Sequence, residues 1–250
     1  MIIYLAQVAS CEKYLQDYFA ECGKFSLLES FYYSNKLDEF LLKNKKYIKN
    51  FLLDSGAFTF LTSKRKNIDW VNYVDQYADF INRHNIEKFF ELDIDKIIGY
   101  EEVVNLRKRL EAKTKKQCIP VWHRYRGKEN FLKMCEEYKY VAIGGIAIKE
   151  IKKEEYPIFN WLLTEAHKRK TKVHGLGFTS VNDLLKYRFD TVDSTSWLNG
   201  NKYGLINQFD GKTIIKHQRK PNQQRKGTPP ITINNFIEWV KFQKYAELYL

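Results

Sequence analysis

Phe51-Leu52-Leu53-Asp54-Ser55-Gly56 is a short apolar run that hands over at once to a carboxylate and a tight turn. The pattern recurs along the chain. Lys88 to Asp95 ends on acids, Cys118 to Trp122 runs into His123-Arg124, and Tyr140 to Ile146 carries Gly144-Gly145. Lys172 to Leu176 holds His174-Gly175 and meets Gly177, and Thr191-Val192 leads into Asp193-Ser194-Thr195. Upstream, Ile2 to Ala6 and a weaker run from Phe25 to Phe31 complete the series. Segments of helical periodicity lie between these runs: Trp70, Val71, Val74, Tyr77, Ala78 and Ile81 share one face, as do Val103, Leu106 and Leu110. Strand-like runs alternating with amphipathic helices predict βα units and a parallel sheet. A polar or glycine cluster at so many strand exits is what a (β/α)8 barrel requires, because the carboxyl ends of all its strands converge on one face. A doubly wound sheet would instead put a glycine-rich phosphate loop after its first strand, where this chain has Ala6-Gln7-Val8-Ala9. The sequence therefore predicts an α/β protein, a single TIM-type (β/α)8 barrel over residues 1–250.

Composition agrees with a folded enzyme-sized domain: 250 residues, 44% hydrophobic and 29% charged, which excludes a disordered or collagen-like chain. Lys and Arg exceed Asp and Glu by 12, a surplus that favours polyanions or anionic surfaces as partners. Cys11, Cys22, Cys118 and Cys135 are widely spaced with no C-x-x-C pair, so they read as reduced thiols rather than a zinc cluster. The first residues are apolar for too few positions to form a signal peptide, and no apolar run approaches the roughly 20 residues needed to span a bilayer, so a cytoplasmic protein is expected. From Gly211 to Ile237 there is no acid. Residues 211–230 read as a basic loop in which Lys212, Lys216, Arg219, Lys220, Arg225 and Lys226 meet nucleic-acid phosphates, and 232–250 as a closing helix with Phe236, Ile237 and Val240 inward.

Several residues could carry chemistry, each with a plainer alternative. Asp54 before Ser55-Gly56 is a strand-end acid or a turn former. In Glu91-Leu92-Asp93-Ile94-Asp95 a period of two would set three carboxylates on one side of a strand, as a binding site or as a solvated edge. Asp193 is a loop cap or a group at a barrel mouth, and Gly144-Gly145 and Gly175-Leu176-Gly177 are turns or places where a planar ligand approaches the backbone. His123 and His174 could join Asp54 and Asp93 around a metal, which would make the protein a metal-dependent hydrolase.

Taken in order, Asp54-Ser55-Gly56-Ala57-Phe58, Leu92-Asp93, Ile143-Gly144-Gly145-Ile146-Ala147, His174-Gly175-Leu176-Gly177 and Phe189-Asp190-Thr191-Val192-Asp193 resemble the motif series of the tRNA-guanine transglycosylase family. The resemblance covers roughly residues 50 to 197. It implies a glycosyltransferase in which Asp193 attacks the anomeric carbon of the sugar and Asp54 is the general acid/base. Asp93 would read the guanine-like base, with Gly144 and Gly145 bonding it through their backbone and Ser55 lining the same pocket. His123 and Gly175 join this base-binding set; where the family has a Gln and a glycine pair after its mid-barrel strand, this chain departs from the pattern with Trp122-His123-Arg124. The family's zinc site, three cysteines and a histidine after the nucleophile, has no counterpart here, since no cysteine follows Cys135. The chain thus looks more like the compact relatives encoded by some bacteriophages, which work in the host cytoplasm and exchange guanine in DNA for a 7-deazaguanine such as preQ0. The expected partners are DNA, with tRNA as the alternative, and a free 7-deazaguanine base, with no cofactor, no metal and no membrane.

Overall fold

The computed structural model describes residues 1–62, 68–178, 180–200, 204–218 and 228–250. Seven parallel strands, β1 (Ile2–Ala6), β2 (Phe25–Ser30), β3 (Ile48–Asp54), β4 (Val121–Trp122), β5 (Tyr140–Ile143), β6 (Lys172–Gly175) and β7 (Thr191–Ser194), pair in the order β3-β2-β1-β7-β6-β5-β4. The two edges are joined by Phe89 and Phe90, which bridge in parallel to Leu53 on one side and Ile119 on the other. Hydrogen bonds from Phe90 N to Leu53 O (3.0 Å) and Ile119 N to Phe89 O (2.8 Å) close the ring. Eight parallel segments in sequence order, alternating with helices, form a (β/α)8 barrel.

Alternation along the strands divides the apolar residues between two compartments. Tyr4, Ala6, Leu28, Leu52, Phe90, Ile119, Val121 and Ala142 fill the barrel. The opposite faces, including Ile3, Leu5, Leu27, Leu53, Phe89, Val141, Val173 and Val192, pack under the helices. Helix Trp70–His84 shows why its sequence folds locally: Asp69 caps it by accepting the Asn72 N–H at 3.0 Å, and Asn85 ends it in the left-handed region at φ 48°. It buries Val74, Tyr77, Ala78, Phe80 and Ile81, while Val71, expected on the inner face, is 44% exposed. The buried face is turned away from Val71 toward Phe80, which packs against Phe31.

The acidic run after Phe90 is not a continuing strand. Glu91 is fully buried, with one oxygen accepting the Val121 N–H at 2.7 Å and the other 3.3 Å from Arg107. A carboxylate there takes the place of a ladder carbonyl, so regular pairing stops and a short helix, Asp95–Ile98, begins. Glu91 is consequently set apart, bonded to Val121 and Arg107, while Asp93 and Asp95 share His123 and Arg126 beyond it, and the three do not form one acidic strand face.

The chain beyond β7 also departs from the sequence reading of a basic loop over 211–230. An antiparallel hairpin, β8 (Leu205–Phe209) with β9 (Ile214–Gln218), turns at Asp210-Gly211, where the Asp210 carboxylate accepts the N–H groups of Lys212 (2.9 Å) and Thr213 (2.8 Å). The final helix spans Thr228–Tyr249 and starts earlier than residue 232, with Pro229 and Pro230 in its first turn, where no intrahelical N–H donor is required. Its buried Gln243 donates to Ile3 O and accepts the Ser26 N–H at 3.1 Å, splicing β1 to β2 below the point where their own ladder begins at Leu5 and Leu27.

Candidate active site

A cavity of about 620 Å³ opens among the carboxyl ends of the strands. Asp54 at the end of β3, Asp93 after the Phe89–Phe90 bridge, His123 after β4, Gly144 and Gly145 after β5, Gly177 after β6 and Asp193 on β7 all line it, with Ser55 beside Asp54. A volume of this order suits a base with part of its nucleotide.

The acids are not equivalent. Asp54 accepts the Gly56 N–H at 2.9 Å. Gly56 is at φ 88°, and a Cβ there would lie 2.8 Å from Tyr32 Cβ, so the turn that delivers this N–H needs glycine. Burial in the cavity wall raises the Asp54 pKa to about 6, against the bond from Gly56 and the nearby Ser30 hydroxyl that lower it, and the charges of Asp193 and Asp93 add to the rise. Asp193 is 8% exposed. Its Oδ1 accepts two hydrogen bonds, from Gly177 N–H at 2.7 Å and from His174 Nε2 at 3.1 Å. Asp93 holds His123 Nε2 2.9 Å from both of its oxygens. Burial alone would lower the His123 pKa, but the bond to Asp93 and its charge prevail and raise it. Ser55 Oγ is buried without a hydrogen-bond partner among the described residues.

Gly144 and Gly145 stand where the sequence placed them, for reasons that geometry supplies. A Cβ on Gly144 would sit 2.8 Å from both His123 Cε1 and Val121 Cγ1, so this glycine makes room for the imidazole. Gly145 lies at φ 81°. Gly175 does not line the cavity: its missing side chain makes room for Phe178 and Phe189 behind the sheet, 3.1 and 3.2 Å from where a Cβ would be. Gly177 is the glycine that reaches the site. Lys212 and Lys216 are exposed on or next to the hairpin and are not part of the cavity wall, while Arg219, Lys220, Arg225 and Lys226 lie outside the described residues. At the mouth, Tyr33, Phe58, Leu61 and Ile148 are 54%, 57%, 37% and 41% exposed, and Lys36 stands with them. The sequence reading missed this apolar rim because scattered aromatics carry no period.

The metal set Asp54, Asp93, His123 and His174 does not come together as one cluster. Among the described residues the acids and histidines with ligand atoms within 4.8 Å of one another are Asp93, Asp95 and His123. The guanidinium of Arg126 already serves that group, donating from Nε to Asp95 at 3.0 Å and lying 3.6 Å from Asp93. The four cysteines are buried and free, and no helix among the described residues is long and apolar enough to cross a membrane.

Fold and site together define a (β/α)8 barrel with an acid-lined cavity at the carboxyl ends of its strands, where Glu29 and Glu91 join Asp54, Asp93 and Asp193 in the wall. No protein-family model and no curated protein matches the sequence. Among solved structures, one described as "Native KDPGal structure" superposes with a TM-score of 0.51 at 8% identity, over 98% of this chain and 94% of that one. The carboxyl transferase domain from Rhizobium etli pyruvate carboxylase with pyruvate gives a TM-score of 0.46 at 13% identity, over 90% of this chain and 41% of that one. At 8% identity the first likeness shows the barrel fold alone.

Proposed function

We propose that the protein is a guanine transglycosylase that exchanges guanine in DNA for a 7-deazaguanine base. The observation that carries this reading is the pairing of two acids across one cavity: Asp54, with a pKa raised to about 6, and Asp193, held by two donors on a single oxygen. Asp193 attacks the anomeric carbon from the side away from the base, and the electron pair of the breaking C–N bond leaves with guanine, which takes a proton from Asp54. The incoming base then uses its N9 lone pair to displace Asp193, its N9 proton passing to the Asp54 carboxylate. Two inversions retain configuration, and no external energy source is needed. A pKa near 6 lets one carboxyl do both transfers close to neutrality. Asp93 and the Gly144-Gly145 backbone line the slot for the base, and the exposed aromatic rim offers stacking surface to neighbouring bases once guanine has left its helix.

Incubation with guanine-containing DNA or tRNA and a labelled 7-deazaguanine, followed by intact-mass analysis of the protein, tests the reading. Label in DNA and a protein-linked deoxyribose adduct lost in Asp193→Asn are expected. Label entering tRNA alone refutes the DNA assignment, and no label in either refutes base exchange.

A further inference from the structure

His174 is fully buried, yet neither the acid/base pair nor the base slot uses it. Its ring lies between Phe90 at 5.1 Å and Tyr4 at 6.1 Å, inside the barrel. Strand register explains its partners: His174 on β6 stands beside Thr191 on β7, both facing inward, and Asp193 is the next inward residue along β7. His174 Nδ1 is 2.6 Å from Thr191 Oγ1, and Nε2 is 3.1 Å from Asp193 Oδ1. Thr191 Oγ1 in turn meets the Tyr140 hydroxyl.

The direction of these bonds follows from what each group can do. An ionised carboxylate only accepts, so Nε2 carries the proton that it donates to Asp193. With Nδ1 free to accept from Thr191, the Thr191 oxygen accepts from Tyr140, and every hydroxyl in the row has both a task and a partner. A proton on Nδ1 would turn the threonine hydroxyl toward Tyr140 and leave the tyrosine O–H without an acceptor among the described residues. Gly177 N–H, at 2.7 Å, is the second donor on the same Asp193 oxygen. Among the described residues Asp193 Oδ2 accepts no hydrogen bond, and it is the oxygen left free to attack.

We propose that His174, fixed by Thr191 and Tyr140, is a positioning residue for Asp193: it reserves Oδ1 for hydrogen bonding and Oδ2 for the sugar, and it promotes departure of the carboxylate in the second half of the exchange. This rests on the base-exchange reading. In the covalent state Oδ2 is bonded to the anomeric carbon and Oδ1 is an ester carbonyl. As the incoming N9 forms its bond to that carbon, the C–Oδ2 pair returns to Asp193, and the charge that develops is shared with Oδ1, where two donors already point. The donors therefore gain strength along the departure step, which is how preorganised hydrogen bonds accelerate a reaction. Attack starts from the ionised carboxylate that the donors stabilise most, so loss of a donor does not slow attack by this effect and slows departure alone.

The test follows the lifetime of the adduct by rapid quench and intact mass, in wild type, His174→Leu and His174→Gln. Glutamine keeps a donor for Asp193 and an acceptor for Thr191. Loss of a single such donor slows departure by roughly a hundredfold, so His174→Leu should accumulate adduct and release it slowly on addition of base, and His174→Gln should restore most of the wild-type rate. Wild type that forms no adduct refutes base exchange. Wild type that forms it, with His174→Leu releasing it at the wild-type rate, refutes the positioning role and leaves base exchange standing. Should His174→Leu fail to fold, Thr191→Val removes the hydroxyl that fixes Nδ1 and is expected to prolong the adduct in the same way; unchanged release in that variant overturns the proposal. Histidine 15N resonances of the resting wild-type protein give a reading independent of turnover. A slowly exchanging Nε2–H absent from His174→Gln is expected, and a proton found on Nδ1 overturns the arrangement.

Discussion

Asp54→Asn should make the protein more stable and less active at neutral pH, and both effects can be sized from one property of the site. The ordinary pKa of an aspartate is about 3.9, and burial raises that of Asp54 to about 6. The folded state thus binds this proton more tightly than the unfolded chain does. Between pH 4 and 6 the native protein carries more protons, so stability falls as pH rises through that window, and the full cost is present above 6. Two pKa units at about 1.4 kcal/mol each set a ceiling of roughly 3 kcal/mol, which relaxation and water entry reduce. Asparagine has no charge to desolvate, and its side-chain oxygen can still accept the Gly56 N–H. Urea unfolding should therefore show Asp54→Asn more stable than wild type by about 1–3 kcal/mol at pH 7.5 and indistinguishable from it at pH 4. The chemical cost runs the other way: loss of a positioned acid/base group slows exchange by roughly 10²–10⁴-fold. In wild type, formation of the adduct needs protonated Asp54 and should fall about tenfold per pH unit above 6, while release needs the carboxylate and should fall below 6. A variant equally stable at both pH values, or one that exchanges base at the wild-type rate, would refute the assignment of Asp54 as a desolvated acid/base group.

Three further outcomes follow from other parts of the molecule. Gly144→Ala drives a methyl to within 2.8 Å of His123 and Val121; overpacking of this kind costs about 1–3 kcal/mol, and a displaced His123 should lose the support of Asp93, so that its NMR titration midpoint falls. Tyr33→Ala and Phe58→Ala remove exposed rings at the cavity mouth; with base stacking worth roughly 1–3 kcal/mol per base, each should raise KM for DNA about tenfold or more and leave kcat nearly unchanged in steady-state assays. Lys212→Glu with Lys216→Glu should weaken DNA binding evenly across sequences and lower the slope of log affinity against log salt by about 2, as read by fluorescence anisotropy from low to high salt.

Much of the barrel was legible because parallel strands buried on both faces are written as short apolar runs, and each of the eight segments of the closed ring overlaps a run visible in the sequence, although β3 begins at Ile48, ahead of the run at Phe51, and β7 continues past Val192 to Ser194. Their ends were less legible where a side chain replaces the ladder. Nothing in Glu91-Leu92-Asp93-Ile94-Asp95 announces that Glu91 will accept the Val121 N–H and stop the strand, since that partner is 30 residues away. The hairpin at residues 205–218 had a local signal, Asp210-Gly211 between alternating residues, but the surrounding positive charge drew the reading toward a loop.

The site divides along the same line. Asp54, Asp93 and Asp193 could be placed from strand exits, because a barrel converts any strand-end residue into a neighbour of the others. What distinguishes them chemically could not be placed, because it depends on neighbours across the sheet. Asp193 differs from an ordinary strand-end aspartate through His174, and that contact exists only when β6 and β7 pair with His174 beside Thr191. A shift of one residue in that register would turn His174 or Asp193 out of the barrel and dissolve the arrangement. The barrel interior must therefore be rigid where chemistry is proposed, and it is packed accordingly, with Tyr4 and Phe90 flanking the imidazole below the cavity. Stability of the β6–β7 pairing and the direction of the Asp193 carboxylate are then one property, and a substitution that loosens either should loosen both.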